Sequence, residues 1–319
     1  MGGGVQGPMW TGALTPWGGR GMRWSARWFV IGILAACDTF SGQQPPDGTE
    51  DTEASRSGYP VQLTDAAGTR HTFEEAPRRI VSLVPSATEA LLAMAEADNL
   101  VGRTDYDRMP EIEGLPSVGG GLQPNLEILV SLDLDLVIRF AGESDLATAE
   151  RLTDLAIPHF AVQPDGIEDV LTIIRDLGLI IGKEDAAAEL LGEIGNALEG
   201  VSRRVAGLPE PRVAYLLGGD PPWVAGSGTY IDELISAAGG DNVFDDLGPL
   251  YASVSVEALL DRGLDLILVS EGLTPPTALG HLPSAELPPS VEIPGPRLGQ
   301  AATDIARLLH PGAFEDGPG

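Results

Sequence analysis

Two glutamates, Glu127 and Glu257, stand 130 residues apart in near-identical settings. Asn125-Leu126-Glu127-Ile128-Leu129-Val130 precedes Leu134-Asp135-Leu136-Val137-Ile138, and Ser255-Val256-Glu257-Ala258-Leu259-Leu260 precedes Leu264-Asp265-Leu266-Ile267-Leu268. Each copy has a capping residue two before the Glu and an Asp eight after it, ahead of an apolar strand. That pattern places each Glu in the first turn of a helix, where its charge complements the helix dipole by about 0.3–1 kcal/mol. A second set of residues falls in loops expected at strand ends: Asp105 and Tyr106, Arg139 and Phe140, Trp223 after Pro222, and Tyr251. Flat aromatic walls suit a large planar ring through stacking and apolar contact; the bland reading of Trp223 is packing of its own Gly/Pro loop. Arg139 can meet a ligand carboxylate or phosphate, or simply one of the many acids of the chain.

Catalysis finds little support. There is no G-x-S-x-G nucleophile elbow, no dinucleotide fingerprint opening a helix and no H-E-x-x-H. Gly178, Gly182 and Lys183 imitate a phosphate loop, but the glycine spacing is short and Glu184 stands where Ser or Thr is needed, so Gly182 reads as a helix stop. Four histidines at 71, 159, 281 and 310 and one cysteine leave little material for a metal site. With 19 Lys+Arg against 47 Asp+Glu the 319-residue chain carries a formal net charge of −28, which argues against a nucleic-acid binder. A 43% apolar content is enough for a packed core.

The elements that must position these residues follow an α/β grammar. Val61–Thr64 and Thr69–Phe73 alternate around Asp65-Ala66-Ala67-Gly68 as a hairpin. Arg79–Val84 reads as a buried strand running into a helix whose capping box is Ser86 and Glu89. Arg212–Leu217 repeats the strand and Thr229–Asp232 repeats the capped start. Between the halves, Ala187, Leu190, Leu191, Ile194, Ala197, Leu198, Val201 and Val205 form one apolar stripe on a helix of about 35 Å. The expected architecture is two similar α/β lobes joined by one long helix, with a ligand cleft between them. The expected boundaries are an N-terminal lobe at 58–182, a linking helix at 183–207, a C-terminal lobe at 208–312 and a tail at 313–319.

The first 57 residues read differently. Arg20, Arg23 and Arg27 precede the apolar run Trp28–Ala36, about half the length needed to span a bilayer, which ends in the small residues Ala35-Ala36 directly before Cys37. This predicts a signal peptide over 1–36 and a flexible Gly/Pro/Ser/Thr-rich tether over 37–57. Leu34-Ala35-Ala36-Cys37 resembles the bacterial lipoprotein signal, which implies acylation of Cys37 and an exported protein anchored in the periplasm or at the outer face of the cytoplasmic membrane.

Ile80-Val81-Ser82-Leu83-Val84-Pro85-Ser86-Ala87-Thr88-Glu89, the Asn125-Leu126-Glu127 helix with its strand, the Ser255-Val256-Glu257 repeat and the closing Pro296-Arg297-Leu298-Gly299-Gln300-Ala301-Ala302 helix resemble substrate-binding proteins of ABC importers, over roughly residues 60–310. The nearest branch binds cobalamin, within a group that also takes iron-siderophores and haem. The resemblance implies no enzyme activity and no resident cofactor, a small-molecule ligand such as cobalamin or another corrinoid, and an ABC permease with its ATPase as partner. It also implies that Glu127 and Glu257 meet arginines of the permease. One departure is the loop Ser117-Val118-Gly119-Gly120-Gly121, where the cobalamin branch often has an aromatic.

Overall fold

A computed structural model describes residues 58–142 and 145–314. The proposed signal peptide, the tether, Cys37 and residues 315–319 lie outside the described residues. In the first half, β1 (Val61–Thr64) and β2 (Arg70–Phe73) pair antiparallel. The Asp65 carboxylate closes their turn by accepting the amides of Ala67 at 3.0 Å and Thr69 at 2.8 Å. β3 (Ile80–Ser82), β4 (Leu136–Phe140) and β5 (His159–Val162) form a parallel sheet in the order β3-β4-β5. These strands are buried almost throughout, as a parallel sheet covered on both faces requires. Its helices are α1 (Pro85–Ala93), α2 (Leu126–Ser131), α3 (Leu146–Asp154) and α4 (Ile167–Ile181).

α5 (Glu184–Val205) is the long connector, 22 residues and about 33 Å. The second half holds β6 (Arg212–Gly218), β7 (Trp223–Ala225), α6 (Tyr230–Ala237), β8 (Asp241–Asn242), β9 (Tyr251–Ser253), α7 (Val256–Asp261), β10 (Leu266–Val269), β11 (Ser284–Glu286), α8 (Pro289–Glu292), α9 (Leu298–Leu309) and α10 (Pro311–Phe314). Its sheet runs β11-β10-β6-β7-β9 with β8 beside β6, and only β7 runs against the others, pairing antiparallel with β6 and with β9. The two lobes thus keep separate sheets.

What ties them together is α5, packed against α4 on one side and α9 on the other. Both contacts are close because a glycine faces an alanine: a Cβ on Gly178 would lie 2.4 Å from Cβ of Ala187, and one on Gly299 would lie 2.4 Å from Cβ of Ala197. Ala187, Ile194, Val201 and Val205 of the stripe are buried. They join one apolar core that runs from Ile80 and Leu91 through α4 and α5 to Ile305 and Leu309.

Four expectations need correction. α1 begins at Pro85 with Val84 as N-cap and no capping side chain, because Pro lacks the N–H that a cap would satisfy and its φ is already helical; Ser86 and Glu89 form no capping box. No strand precedes Asp105: Leu100 and Arg103 make only isolated bridges, to Ile80 and Ser117. Arg139 and Phe140 close β4, and Trp223 and Tyr251 open β7 and β9, so these four residues lie in strands rather than in loops. Residues 313–314 close α10 rather than begin a tail, with the Arg204 guanidinium 4.6 Å over the Phe314 ring.

Candidate functional site

A cavity of about 920 Å³ lies between the lobes. The first lobe contributes Glu89 and Leu92 of α1 and the loop residues Tyr106, Arg108, Met109 and Glu111; the second contributes Glu271, Glu292, Ile293 and Arg297. A neighbouring cavity of about 600 Å³ shares Pro85 and Tyr106 and continues along Leu83, Gly120, Gly121 and Phe140. Tyr106, 64% exposed, lines both spaces. Gly121 is sterically required here, because a Cβ would sit 2.2 Å from the Leu83 carbonyl oxygen. The glycine loop thus passes directly over the end of β3, where no larger side chain fits at Gly121.

The lining carries four carboxylates against two guanidiniums. Arg297 spans the lobes to Glu89, with Nη2 2.7 Å from Oε1 and Nε 3.2 Å from Oε2. Glu292 accepts the amide of Glu271 at 3.0 Å. Arg108, Glu111 and Glu271 make no ion pair among the described residues, so their charges face the cavity uncompensated. A groove of about 1030 Å³ beside Phe73, Leu136 and His159 is larger, but one lobe alone lines it and it sits at the starting ends of β4 and β5. Ligands of open α/β sheets bind at the carboxyl ends of the strands, and Phe140, the last residue of β4, opens onto the cleft side.

Away from the cavity, α2 and α7 are built alike. Asn125 Oδ1 accepts the amides of Glu127 and Ile128, and Ser255 Oγ accepts that of Ala258. The glutamate carboxyls are exposed, and Glu257 is held below the usual carboxylate range by its own amide and by the Ser255 hydroxyl. Both helices end in the same clamp. Arg79 donates from Nη2 to the Leu132 carbonyl at 2.8 Å, while its amide donates to Asp135 at 2.9 Å. Arg212 donates from Nη2 to the Arg262 carbonyl at 2.9 Å, while its amide donates to Asp265 at 2.8 Å.

A model described as periplasmic binding protein matches residues 80–282. The chain belongs to the periplasmic binding protein family. An uncharacterized ABC transporter substrate-binding lipoprotein, YvrC of Bacillus subtilis, is 25% identical over 315 residues, covering 92% of this chain and 98% of the relative. A cobalamin-binding protein of Halobacterium salinarum is 30% identical over 233 residues, 70% of this chain and 62% of the relative. The solved structure of the periplasmic heme-binding protein RhuT from Roseiflexus sp. RS-1, in apo form, is 25% identical with a TM-score of 0.63, covering 74% of this chain and 99% of that one. The chain is therefore an exported binding protein, the substrate-binding component of an ABC importer and not an enzyme. Among the described residues no helix is long and apolar enough to cross a membrane.

The periplasmic binding protein places its sequence-predicted site residues unevenly. Tyr106 and Phe140 line the cavities. Asp105 is exposed and lines neither; it accepts a hydrogen bond from Ser117 Oγ at 2.5 Å and braces the glycine loop. Trp223, 49% exposed, and the half-buried Tyr251 also line neither cavity. Their register, Trp223 opposite Ser253 and Ala225 opposite Tyr251, puts both rings on one face of the β7–β9 ribbon. Burial pushes the Tyr251 phenol up to about 12, with Asp165 and Tyr215 adding to the rise. Arg139 is a correction: it is buried and committed, donating to Asp145 Oδ2 at 3.0 Å, to the Phe140 carbonyl at 2.7 Å and to His159 Nδ1 at 3.2 Å. A charge on a strand buried on both faces must find its partners inside the lobe. The residues that sequence reading missed are Glu89, Arg108, Glu271, Glu292 and Arg297. Glu89 and Arg297 stand in the motifs of the opening and closing helices, but neither motif shows that the two residues meet.

Proposed function

We propose that this binding protein captures cobalamin or a related corrinoid between its lobes and hands it to an ABC permease and its ATPase. The observation that carries the reading is the cross-lobe cavity, about 920 Å³ with a second space of about 600 Å³ beside it, walled by Tyr106 and Phe140 and rimmed by carboxylates. A corrin offers a flat ring for aromatic contact and peripheral amides whose N–H groups donate to carboxylates. A trianionic ferric catecholate would meet net negative charge there, which costs affinity. The cobalamin-binding relative from Halobacterium salinarum supports the same ligand. Glu127 and Glu257 dock on the permease, and acylated Cys37 anchors the protein at the outer face of the membrane.

The test is titration of residues 58–319 with cyanocobalamin, haem and a ferric siderophore. Trp223 is the only tryptophan in that segment, so its fluorescence reports beside calorimetric heat. Cyanocobalamin is expected to change both signals; silence with it and response to a siderophore would replace the ligand assignment. Haem is the second reading, carried by the exposed Tyr106 phenol as an iron ligand. A charge-transfer band on haem addition, lost in Tyr106→Phe, would favour it.

A further inference from the structure

α2 and α7 each expose, one turn after the glutamate, an apolar side chain that the fold does not use. Val130 is 53% exposed and Leu260 is 42% exposed. Each helix already sends a fully buried leucine into its lobe, Leu129 and Leu259 respectively, so the next residue is free of packing duty. Residues three apart on a helix lie on the same face with Cβ atoms about 5–6 Å apart, so Glu127 with Val130, and Glu257 with Leu260, form compact carboxylate-plus-apolar patches. Single exposed apolar residues are ordinary. The duplication is not: residues 125–130 and 255–260 follow the same order of exposed, half-buried and buried positions. The residue closing each turn, Asp133 or Gly263, is left-handed in both. The arginine clamps described above hold both patches in the same orientation on their lobes.

We infer that Val130 and Leu260 are the apolar halves of two equivalent docking patches, and that the occupant is the importer's permease, presenting twice a cationic side chain beside an apolar recess. The inference rests on the docking reading of Glu127 and Glu257. Charge complementarity sets the cation, the paired valine and leucine set the recess, and the repeat sets the partner's two-fold character. The carboxylate contacts weaken in salt whereas apolar burial does not.

The experiment measures binding of the full chain, without ligand, to its permease–ATPase complex in lipid nanodiscs at low and high salt. Three proteins are compared: wild type, Glu127→Ala with Glu257→Ala, and Val130→Ser with Leu260→Ser. The apolar variant is expected to bind about tenfold weaker or worse at both salt levels, with the wild-type salt slope retained, and Val130→Ile with Leu260→Met to bind like wild type. Unchanged melting temperatures confirm that the folds are intact. Wild-type binding by the serine variant, with weak binding by the glutamate variant, overturns this inference and leaves the docking reading standing. Wild-type binding by both overturns the two together.

Discussion

Glu89 on α1 and Arg297 before α9, 208 residues apart in sequence, form a two-point ion pair that bridges the lobes at the cavity wall. The glutamate side chain is mostly covered while the arginine is 43% exposed, so solvent screens part of the attraction. Glu89→Gln is expected to lower unfolding free energy by about 0.5–1 kcal/mol, with the deficit shrinking in high salt. Urea unfolding at two ionic strengths checks it; equal stability at low salt would mean that the pair contributes nothing.

Arg139 gives a larger effect for the opposite reason. Its partner Asp145 is fully buried, and burial pushes that carboxyl up even as Arg139 pulls it back. Arg139→Leu strands the acid and is expected to cost about 3–5 kcal/mol of stability, while folded protein keeps its ligand affinity because the side chain reaches neither cavity. A stable variant with weakened binding would return Arg139 to the ligand site.

The grip on α5 makes a double-mutant prediction. Gly299→Ala drives a methyl to 2.4 Å from Cβ of Ala197 and should destabilise by about 1–3 kcal/mol. Adding Ala197→Gly removes the opposing methyl and should recover most of the loss, measured as a coupling energy in urea unfolding. Additive losses would show that the helices are free to part.

The degree to which the sequence foretold all this depends on distance along the chain. The 130-residue repeat, Asn125, Ser255 and Thr229 as caps and the stripe of α5 are local patterns, and each element forms where its pattern lies. Ser86 misled because a proline before it also starts a helix. Arg139 misled because β4 runs on through Phe140, which puts the residue in a buried strand rather than in a loop, and one of its partners, His159, comes from the neighbouring strand. The charged lining, with Glu89, Arg108 and Glu111 from one lobe and Glu271, Glu292 and Arg297 from the other, is assembled only when the two lobes meet, and no local pattern encodes it.

The hairpin carries an acid-sensitive joint. Asp65 ties β1 to β5 by accepting the Ala161 amide at 3.2 Å, and His71 Nε2 lies 2.9 Å from the same oxygen. Burial alone would raise this carboxyl, but the His71 side chain and the Thr69 and Ala161 amides outweigh it, and its pKa lies below the ordinary value. The stability it contributes is therefore complete above the unfolded-chain value of about 3.9 and lost as pH falls through the lower folded value. Asp65→Asn should cost about 1–3 kcal/mol at neutral pH and show a shallower loss of stability below about pH 4. Parallel acid limbs for variant and wild type would place the titrating group elsewhere.

Docking and capture should separate cleanly in the glutamate variant. Glu127 and Glu257 lie on α2 and α7 and line neither cavity, and their side chains are exposed. Removing both carboxylates takes nothing from the cores, since Leu129 and Leu259 hold the helices and the arginine clamps close their ends. The double variant Glu127→Ala, Glu257→Ala should bind cyanocobalamin with wild-type affinity by calorimetry, stay folded, since only a solvent-screened dipole contact is lost, and fail to support uptake of labelled cobalamin into cells. Each single variant should retain partial uptake, because the remaining patch still meets its half of the permease. Normal uptake by the double variant would reduce the two carboxylates to helix-capping charges, whereas lost affinity with lost uptake would place them in the ligand site.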